Sequence, residues 1–297
     1  MSDQPGVKSS RSEPATSGRI DTAAGYVELG RPVNAGLLAM FVVVGAYIAG
    51  GAAAATGAGM TAGAVTLLAV VGGFAMNDYF DRDIDRVNDP ERPIPRGAVT
   101  PQSAIIIAAV AFGSAATVAV SALSAPPTAI VLIWIVALVV YTPVIKGRYG
   151  LGNLLIAGLV GSAAVLGGLV THTPGPAVVM GLLATQMLFG FEILKDLEDV
   201  VGDTEAGLRT LPLMLGQRTT VWIILGVLAA TVPLSLVPVV RETFGLAYLG
   251  VIVAAHVLTG VTMWATVARS PAAALNWIKP AMAVCMLAFV VGRGVGT

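Results

Sequence analysis

The sequence predicts an all-α membrane protein, a polytopic bundle of nine transmembrane helices, and three observations carry that expectation. Hydrophobic residues make up 56% of the 297 and charged residues only 11%, with a mean hydropathy of +0.84, a balance that suits lipid as the solvent for most of the chain. Apolar runs of near membrane-spanning length recur at 33 to 53, 60 to 80, 102 to 123, 127 to 145, 151 to 171, 175 to 196, 219 to 239, 244 to 267 and 276 to 294. Basic residues concentrate in alternate connections between those runs.

In chain order, residues 1–25 are polar and rich in Ser, Pro, Gly and Thr, with no apolar core of signal-peptide type, and read as a disordered tail. Residues 26–297 form the nine-helix unit. The first run follows Arg31-Pro32 and carries Asn34 near its start; the second is interrupted by glycines and ends in Asn77 and Asp78. The third and fourth are long apolar stretches, and only KGRYG separates the fourth from the fifth, which Asn153 opens. The sixth ends at Asp196, with Glu192 one turn deeper. The eighth holds His256 and the ninth Cys285. Glycine strings such as Gly50-Gly51, Gly72-Gly73 and Gly167-Gly168 permit the close helix approach that packing in lipid requires.

An odd number of spans puts the tail and every even-to-odd connection on one side. Of the 17 Lys and Arg residues, only Arg241 and Arg293 fall opposite. The positive-inside rule makes the basic side cytoplasmic, in a multi-pass protein of the cell membrane.

The same side collects the acids. Asp78, Asp81 and Asp85 are spaced i, i+3, i+7, and Asp196, Asp199 and Asp203 repeat that spacing. At about 100° per residue each set falls within roughly a 60° arc of one helical face. Two carboxylates about 6 Å apart repel by roughly 3 kcal/mol at an effective dielectric near 20, so the sets need cations. Pairing with Arg82, Arg86 and Lys195 is one answer; a hard divalent ion completed by substrate phosphates is the other, and the duplication on one side favours it. Magnesium diphosphate is the implied ligand. Asp83 and Glu198 project to the opposite faces. Glu192, inside an apolar run, is a functional candidate by its depth alone.

Other chemistries find little support. Two histidines, His172 and His256, do not make a His-based metal or haem centre, and a lone Cys285 gives neither a disulfide nor a redox motif. No Gly-rich phosphate loop follows a strand, no basic face suits nucleic acid, and no obligate protein partner is evident. Secondary carriers also gather polar groups in helical bundles, but near the midplane rather than at one face.

The segments Asn77-Asp78-x-x-Asp81-x-x-x-Asp85 and Asp199-x-x-x-Asp203, extended by Asp196, resemble the two signatures of the UbiA-type intramembrane prenyltransferases. The resemblance covers everything after the tail. It implies a central cavity open to the cytoplasmic motifs and sideways to lipid, where an isoprenoid tail would lie. It also implies two Mg²⁺ ions, held by the six aspartates, that assist ionisation of an allylic diphosphate. Lys146, Lys195, Arg82 and Asn77 become candidates for the diphosphate oxygens, Asn34 and Asn153 for the cavity wall, and Tyr141 for shielding the cation with its ring face.

The stretch Asn88 to Gly97 resembles an extension shared by chlorophyll synthases and the archaeal ether-lipid branch of that family, the digeranylgeranylglyceryl phosphate synthases, and Glu192 to Asp203 followed by Arg209-Thr210-Leu211-Pro212 is most similar to the archaeal branch. Phe191 stands where that branch often places Arg. The implied partners are an isoprenyl diphosphate and a lipid-phosphate acceptor, geranylgeranylglyceryl phosphate, whose phosphate Arg86, Arg92 or Arg96 would bind. Glu192 or an aspartate of either set would take the hydroxyl proton. A ring acceptor, a quinone precursor or a tetrapyrrole, is the alternative.

Overall fold

A computed structural model describes residues 16–146, 150–171, 173–205 and 207–295, with side chains from residue 22 onward. His172 and the first 15 residues of the expected tail lie outside the described residues.

Residues 16–25, expected within the tail, are helical. Thr16–Leu29 forms a helix, α1, whose far end is drawn into the protein: Leu29 is fully buried with Ile94, Val99 and Phe112. A Cβ on Gly25 would come within 2.7 Å of Ala98 Cβ. Apolar contact, which composition averages away, decides those residues.

Eight helical stretches, rather than nine separate ones, are long and apolar enough to cross a membrane among the described residues. The difference lies in the first, Thr22–Asn88, which doubles back on itself. It contains α2 (Pro32–Ala54) and α3 (Met60–Asn88), joined by a π-helical turn at Ala55–Gly59. Gly51 at φ +78° breaks α2 just before that turn, a conformation open to glycine. Gly59 then meets Ala46, and Gly63 meets Ala39, so α2 and α3 pack antiparallel.

The next elements are α4 (Pro101–Ala122), α5 (Ala125–Val140) with a π-helical turn at Tyr141–Ile145, α6 (Leu151–Leu169) and α7 (Gly175–Glu198). Thr100 caps α4 by accepting from the Ser103 amide at 3.1 Å. At the α2–α6 crossing a Cβ on Gly45 would strike the Ala164 carbonyl, and one on Gly167 the Val42 carbonyl. Here glycine is required by close backbone approach, the way helices gain contact in lipid.

Two short helices follow, α8 (Val200–Glu205) and α9 (Leu211–Leu215), then α10 (Gln217–Ala229), α11 (Thr231–Val240), α12 (Leu246–Ala268) and α13 (Pro271–Val295). The seventh apolar run is thus broken in two. Pro233 has no N–H to give the Ala229 carbonyl, which removes the helical bond across the break.

Buried side chains gather in four clusters. One fixes the ends of α7, α10 and α13 through Ile193, Leu194, Leu197, Ile224, Leu275 and Ile278. The cluster of Phe244, Tyr248 and Phe289, with ring centroids 5.2 to 6.0 Å apart, joins α12 to α13 at the other end.

Candidate active site

Asp78, Asp81 and Asp85 line one buried face of α3, at 3%, 5% and 7% exposure. They occupy its C-terminal turns, where carbonyl dipoles disfavour negative charge. Cations from three other segments offset that cost. Arg31, ahead of α2, donates to Asp78 Oδ1 at 2.5 Å, and Arg92 donates to the same oxygen at 3.0 Å. Lys146 donates to Asp81 Oδ2 at 2.6 Å, and Asn77 Nδ2 to that oxygen at 2.8 Å.

Local backbone explains these placements. Arg31 has φ +43°, outside the usual range for a residue with a Cβ, so the chain turns sharply between α1 and α2 and its guanidinium lies over Phe74, 4.7 Å from the centroid. Arg92 rides on a connection whose Ile94, Ala98 and Val99 are buried and whose turn closes with Val99 N–H donating to the Pro93 carbonyl at 3.0 Å. Desolvation pulls the Arg92 pKa down, but the Asp89 hydrogen bond and the charges of Asp78, Asp85 and Asp89 outweigh it and raise it above the ordinary value. The guanidinium stays charged.

The second acidic set is not one helical face. Asp196 lies on α7 and accepts from Asn153 Nδ2 at 2.7 Å; Asp199 is the exposed residue that ends the helix; Asp203 lies on α8. Asp196, Glu198 and Asp199 crowd the negative end of the α7 dipole, and the helix stops at Glu198, with Asp199 at φ −92°, ψ +16° separating it from α8. Burial, with repulsion from Asp199, outweighs the Thr210 hydroxyl beside it and pushes the Asp203 carboxyl above its ordinary pKa.

Tyr141 joins the two sets. On the π-helical turn, its phenol lies within electrostatic reach of Glu192, Asp81 and Asp196. The next residue, Thr142, donates to Asn77 Oδ1 at 3.1 Å. Gly152 packs beside the Tyr141 ring, and Gly150, at φ +72°, rests against Leu211 of α9. Thus α3, the turn before α6, α6 itself, α7 and α9 meet at one end of the bundle.

Among the described residues, no three acidic, His or Cys side chains converge tightly enough to hold a metal by themselves. Two carboxylate oxygens are nonetheless buried without a hydrogen-bond donor, Asp85 Oδ2 and Asp203 Oδ2, one from each set. Arg92 Nη1 approaches the former at 3.3 Å but off hydrogen-bond geometry. Such orphaned oxygens suit a hard cation whose remaining ligands come from substrate phosphate.

Two hollows flank this end. One, of about 400 Å³, is polar and lined by Glu28, Arg31, Asp78, Asp89 and Arg92. The other, of about 620 Å³, is an apolar cleft between α5 and α6, lined by Ile130, Trp134, Ala137, Leu155 and Gly158 and reaching Ile145 and Leu151 beside Lys146.

Most residues expected at the site converge there: Asn77, Arg92, Tyr141, Lys146, Asn153, Glu192 and Lys195, the last 3.4 Å from Glu192. Arg82 does not. It donates to the Tyr79 carbonyl at 2.7 Å and pairs with Asp83, because position 82 falls off the buried face of α3. Asn34 is exposed and makes no side-chain hydrogen bond among the described residues. Arg86 and Arg96 pair with Asp83 and Glu28. Arg31 and Thr142 are additional contacts with no motif of their own; Arg31 is one basic residue among many on its side of the sequence.

The chain is similar to known proteins along most of its length. Residues 38–290 match the UbiA prenyltransferase family. The digeranylgeranylglyceryl phosphate synthase of Halobacterium salinarum is 40% identical over 277 residues, covering 92% of this chain and 99% of that one. A solved structure of a digeranylgeranylglyceryl phosphate synthase superposes with a TM-score of 0.83 at 26% identity, over 92% of this chain and 99% of the other. A UbiA homologue from Archaeoglobus fulgidus, bound to GPP and Mg²⁺, has a TM-score of 0.65 at 17% identity over 91% of this chain and 99% of its own, a likeness of fold.

Proposed function

This chain belongs to the UbiA prenyltransferase family, and on that footing we propose that it transfers a geranylgeranyl group from geranylgeranyl diphosphate to the free hydroxyl of geranylgeranylglyceryl phosphate. The product is the second ether bond of an archaeal membrane lipid, with release of diphosphate. One observation carries the reading: orphaned carboxylate oxygens from both acidic sets share one end of the bundle with Arg31, Arg92 and Lys146. The relative in Halobacterium salinarum supports the choice of acceptor.

The Asp78 and Asp85 carboxylates on α3 and Asp196 and Asp203 beyond Glu192 would hold Mg²⁺, with Asp81 and Asp199 flanking them. Bound there, Mg²⁺ supplies charge neutralisation for the departing diphosphate. Lys146 and Asn77 donate to its free oxygens, with Arg31 and Arg92 at the polar hollow. Tyr141 turns its ring toward the allylic carbon as the C–O bond to diphosphate breaks. The acceptor oxygen then forms the ether bond and loses its proton to Glu192 or to an aspartate of either set. The prenyl chain runs into the apolar cleft between α5 and α6, whose volume falls in the range of about 300–1,000 Å³ common for ligand sites. The excess of Lys and Arg on the motif side supports a cytoplasmic active site and N-terminus.

Turnover in membranes tests the reading, with Mg²⁺, labelled geranylgeranyl diphosphate and either geranylgeranylglyceryl phosphate or an aromatic acid, beside a chelator control. A chelator-sensitive, base-stable diether is expected. Label moving only to the ring would replace the acceptor.

A further inference from the structure

Lys279 is an exposed cation near the motif-side end of the last helix. It is the ninth residue of α13, about 12 Å along the helix from Pro271 at about 1.5 Å per residue, within a stretch apolar enough to cross a membrane. It makes no ion pair among the described residues. Its ammonium instead lies 5.8 Å from the centroid of the Phe191 ring, and the ammonium of Lys195 lies 5.9 Å from the same centroid.

The two lysines come from α13 and α7, which Ile193, Leu194, Leu275 and Ile278 lock together at this level. Glu192 compensates Lys195, but nothing comparable serves Lys279. A ring face attracts a cation by about 0.5–1 kcal/mol at an exposed site. That does not offset the repulsion between two exposed ammonium groups gathered at one ring face. An anion shared between them does.

Of the arginines considered for the acceptor's phosphate, Arg86 and Arg96 pair with Asp83 and Glu28, away from the second acidic set, and Arg92 belongs to the diphosphate end at Asp78 and Asp85. We propose that Lys279 and Lys195, on the Phe191 ring, bind the phosphate monoester of the acceptor lipid. Asn276, exposed one turn earlier on the same face of α13, adds a donor. A phosphate held there puts the neighbouring glyceryl hydroxyl beside Glu192 and Asp196, on the route to the allylic carbon. This subsite rests on the acceptor named under Proposed function.

The test uses the full chain in membranes and the variants Lys279→Gln, Lys279→Arg and Lys195→Gln. Lys279→Gln is expected to raise KM for geranylgeranylglyceryl phosphate about tenfold or more and leave KM for geranylgeranyl diphosphate unchanged. Lys279→Arg should restore most of the loss, and Lys195→Gln should weaken the same acceptor. With dephosphorylated geranylgeranylglycerol, wild type and Lys279→Gln should have equal KM values. An unchanged acceptor KM, an equal rise for the donor, or undiminished preference for the phosphorylated acceptor would overturn the subsite. So would a Lys279→Gln loss seen only in anionic bilayers, which would assign the lysine to membrane headgroups. Wild type that turns over a ring acceptor but not the glyceryl phosphate overturns the acceptor reading itself, a result separate from any variant.

Discussion

Lys146 Nζ lies 2.6 Å from Asp81 Oδ2, across 65 residues of sequence. The contact ties the π-helical turn after α5 to the middle of the acidic face on α3, and it leaves the lysine side chain 45% exposed while the carboxylate is buried. A donor so placed reaches an incoming diphosphate without leaving its turn. Lys146→Ala should lower kcat/KM by about 10²–10³, the range for losing one preorganised donor to developing negative charge. Lys146→Arg should recover part of it. Steady-state kinetics on solubilised protein checks both.

Asp81→Ala should abolish turnover with the bundle still folded. Removing the carboxylate frees Lys146 and Asn77 and takes one negative charge from a buried trio, so the fold loses little while the site loses its centre. An unchanged size-exclusion profile with activity at background is the expected pair of results; retained activity would remove Asp81 from the site.

Arg31 offers a separate test, because its contact with Asp78 is made from a left-handed backbone at Arg31 itself. Arg31→Ala should raise the KM for the prenyl diphosphate and Arg31→Lys should mend it incompletely, since a single ammonium lacks the planar fork of a guanidinium. Binding measured with inorganic diphosphate and Mg²⁺ isolates this from catalysis.

How much of this was legible in the sequence depends on how local each feature is. The first acidic set lies on one continuous helix, so its spacing alone gave the buried face and excluded Asp83. The second set has identical spacing but lies across the end of α7, where three acids meet the helix dipole, and periodicity does not report where a helix stops. Arg31, Thr142 and Lys279 act through contacts across the bundle, and nothing in their neighbours along the chain marks them. The same holds for residues 16–25, polar in composition yet joined to a helix that Leu29 anchors. Asn77, Lys146 and Asn153 were found because their motif or loop position brought them forward.

Asn153 holds Asp196 by a 2.7 Å hydrogen bond and so sets the direction of its free oxygen. Groups that orient a metal ligand typically contribute about 10–100-fold to metal affinity. Asn153→Ala should therefore shift the Mg²⁺ concentration for half-maximal rate upward by about that factor, with the rate at saturating Mg²⁺ much less affected. A fall in saturated rate at unchanged Mg²⁺ dependence would place Asn153 on the substrate instead.

Gly158 lines the apolar cleft, and a Cβ added there meets no atom within 4 Å. Gly158→Leu should fill the cleft without disturbing the fold, so it separates cavity from scaffold. If the prenyl chain lies there, kcat/KM should fall for the geranylgeranyl donor and much less for a shorter geranyl donor. Equal losses, or none, would move the chain to another opening.

Asp85 gives a prediction with opposite signs in the two states of the protein. Its Oδ2 is buried without a hydrogen-bond donor, beside the charges of Asp81 and Asp78 and with Arg92 Nη1 3.3 Å away but off hydrogen-bond geometry. In the unliganded protein Asp85→Asn removes one of three like charges and supplies an amide that can donate to its neighbours, so thermal stability should hold or rise. Bound Mg²⁺ and diphosphate stabilise the wild type by mass action, by about 2.7 kcal/mol at 100 times Kd. The variant, lacking the orphaned carboxylate, should lose most of that increment. Thermal melts in detergent with and without Mg²⁺ and inorganic diphosphate read both signs. A variant destabilised without ligand, yet stabilised by it as strongly as wild type, would make Asp85 a structural acid and leave the cation to the remaining carboxylates.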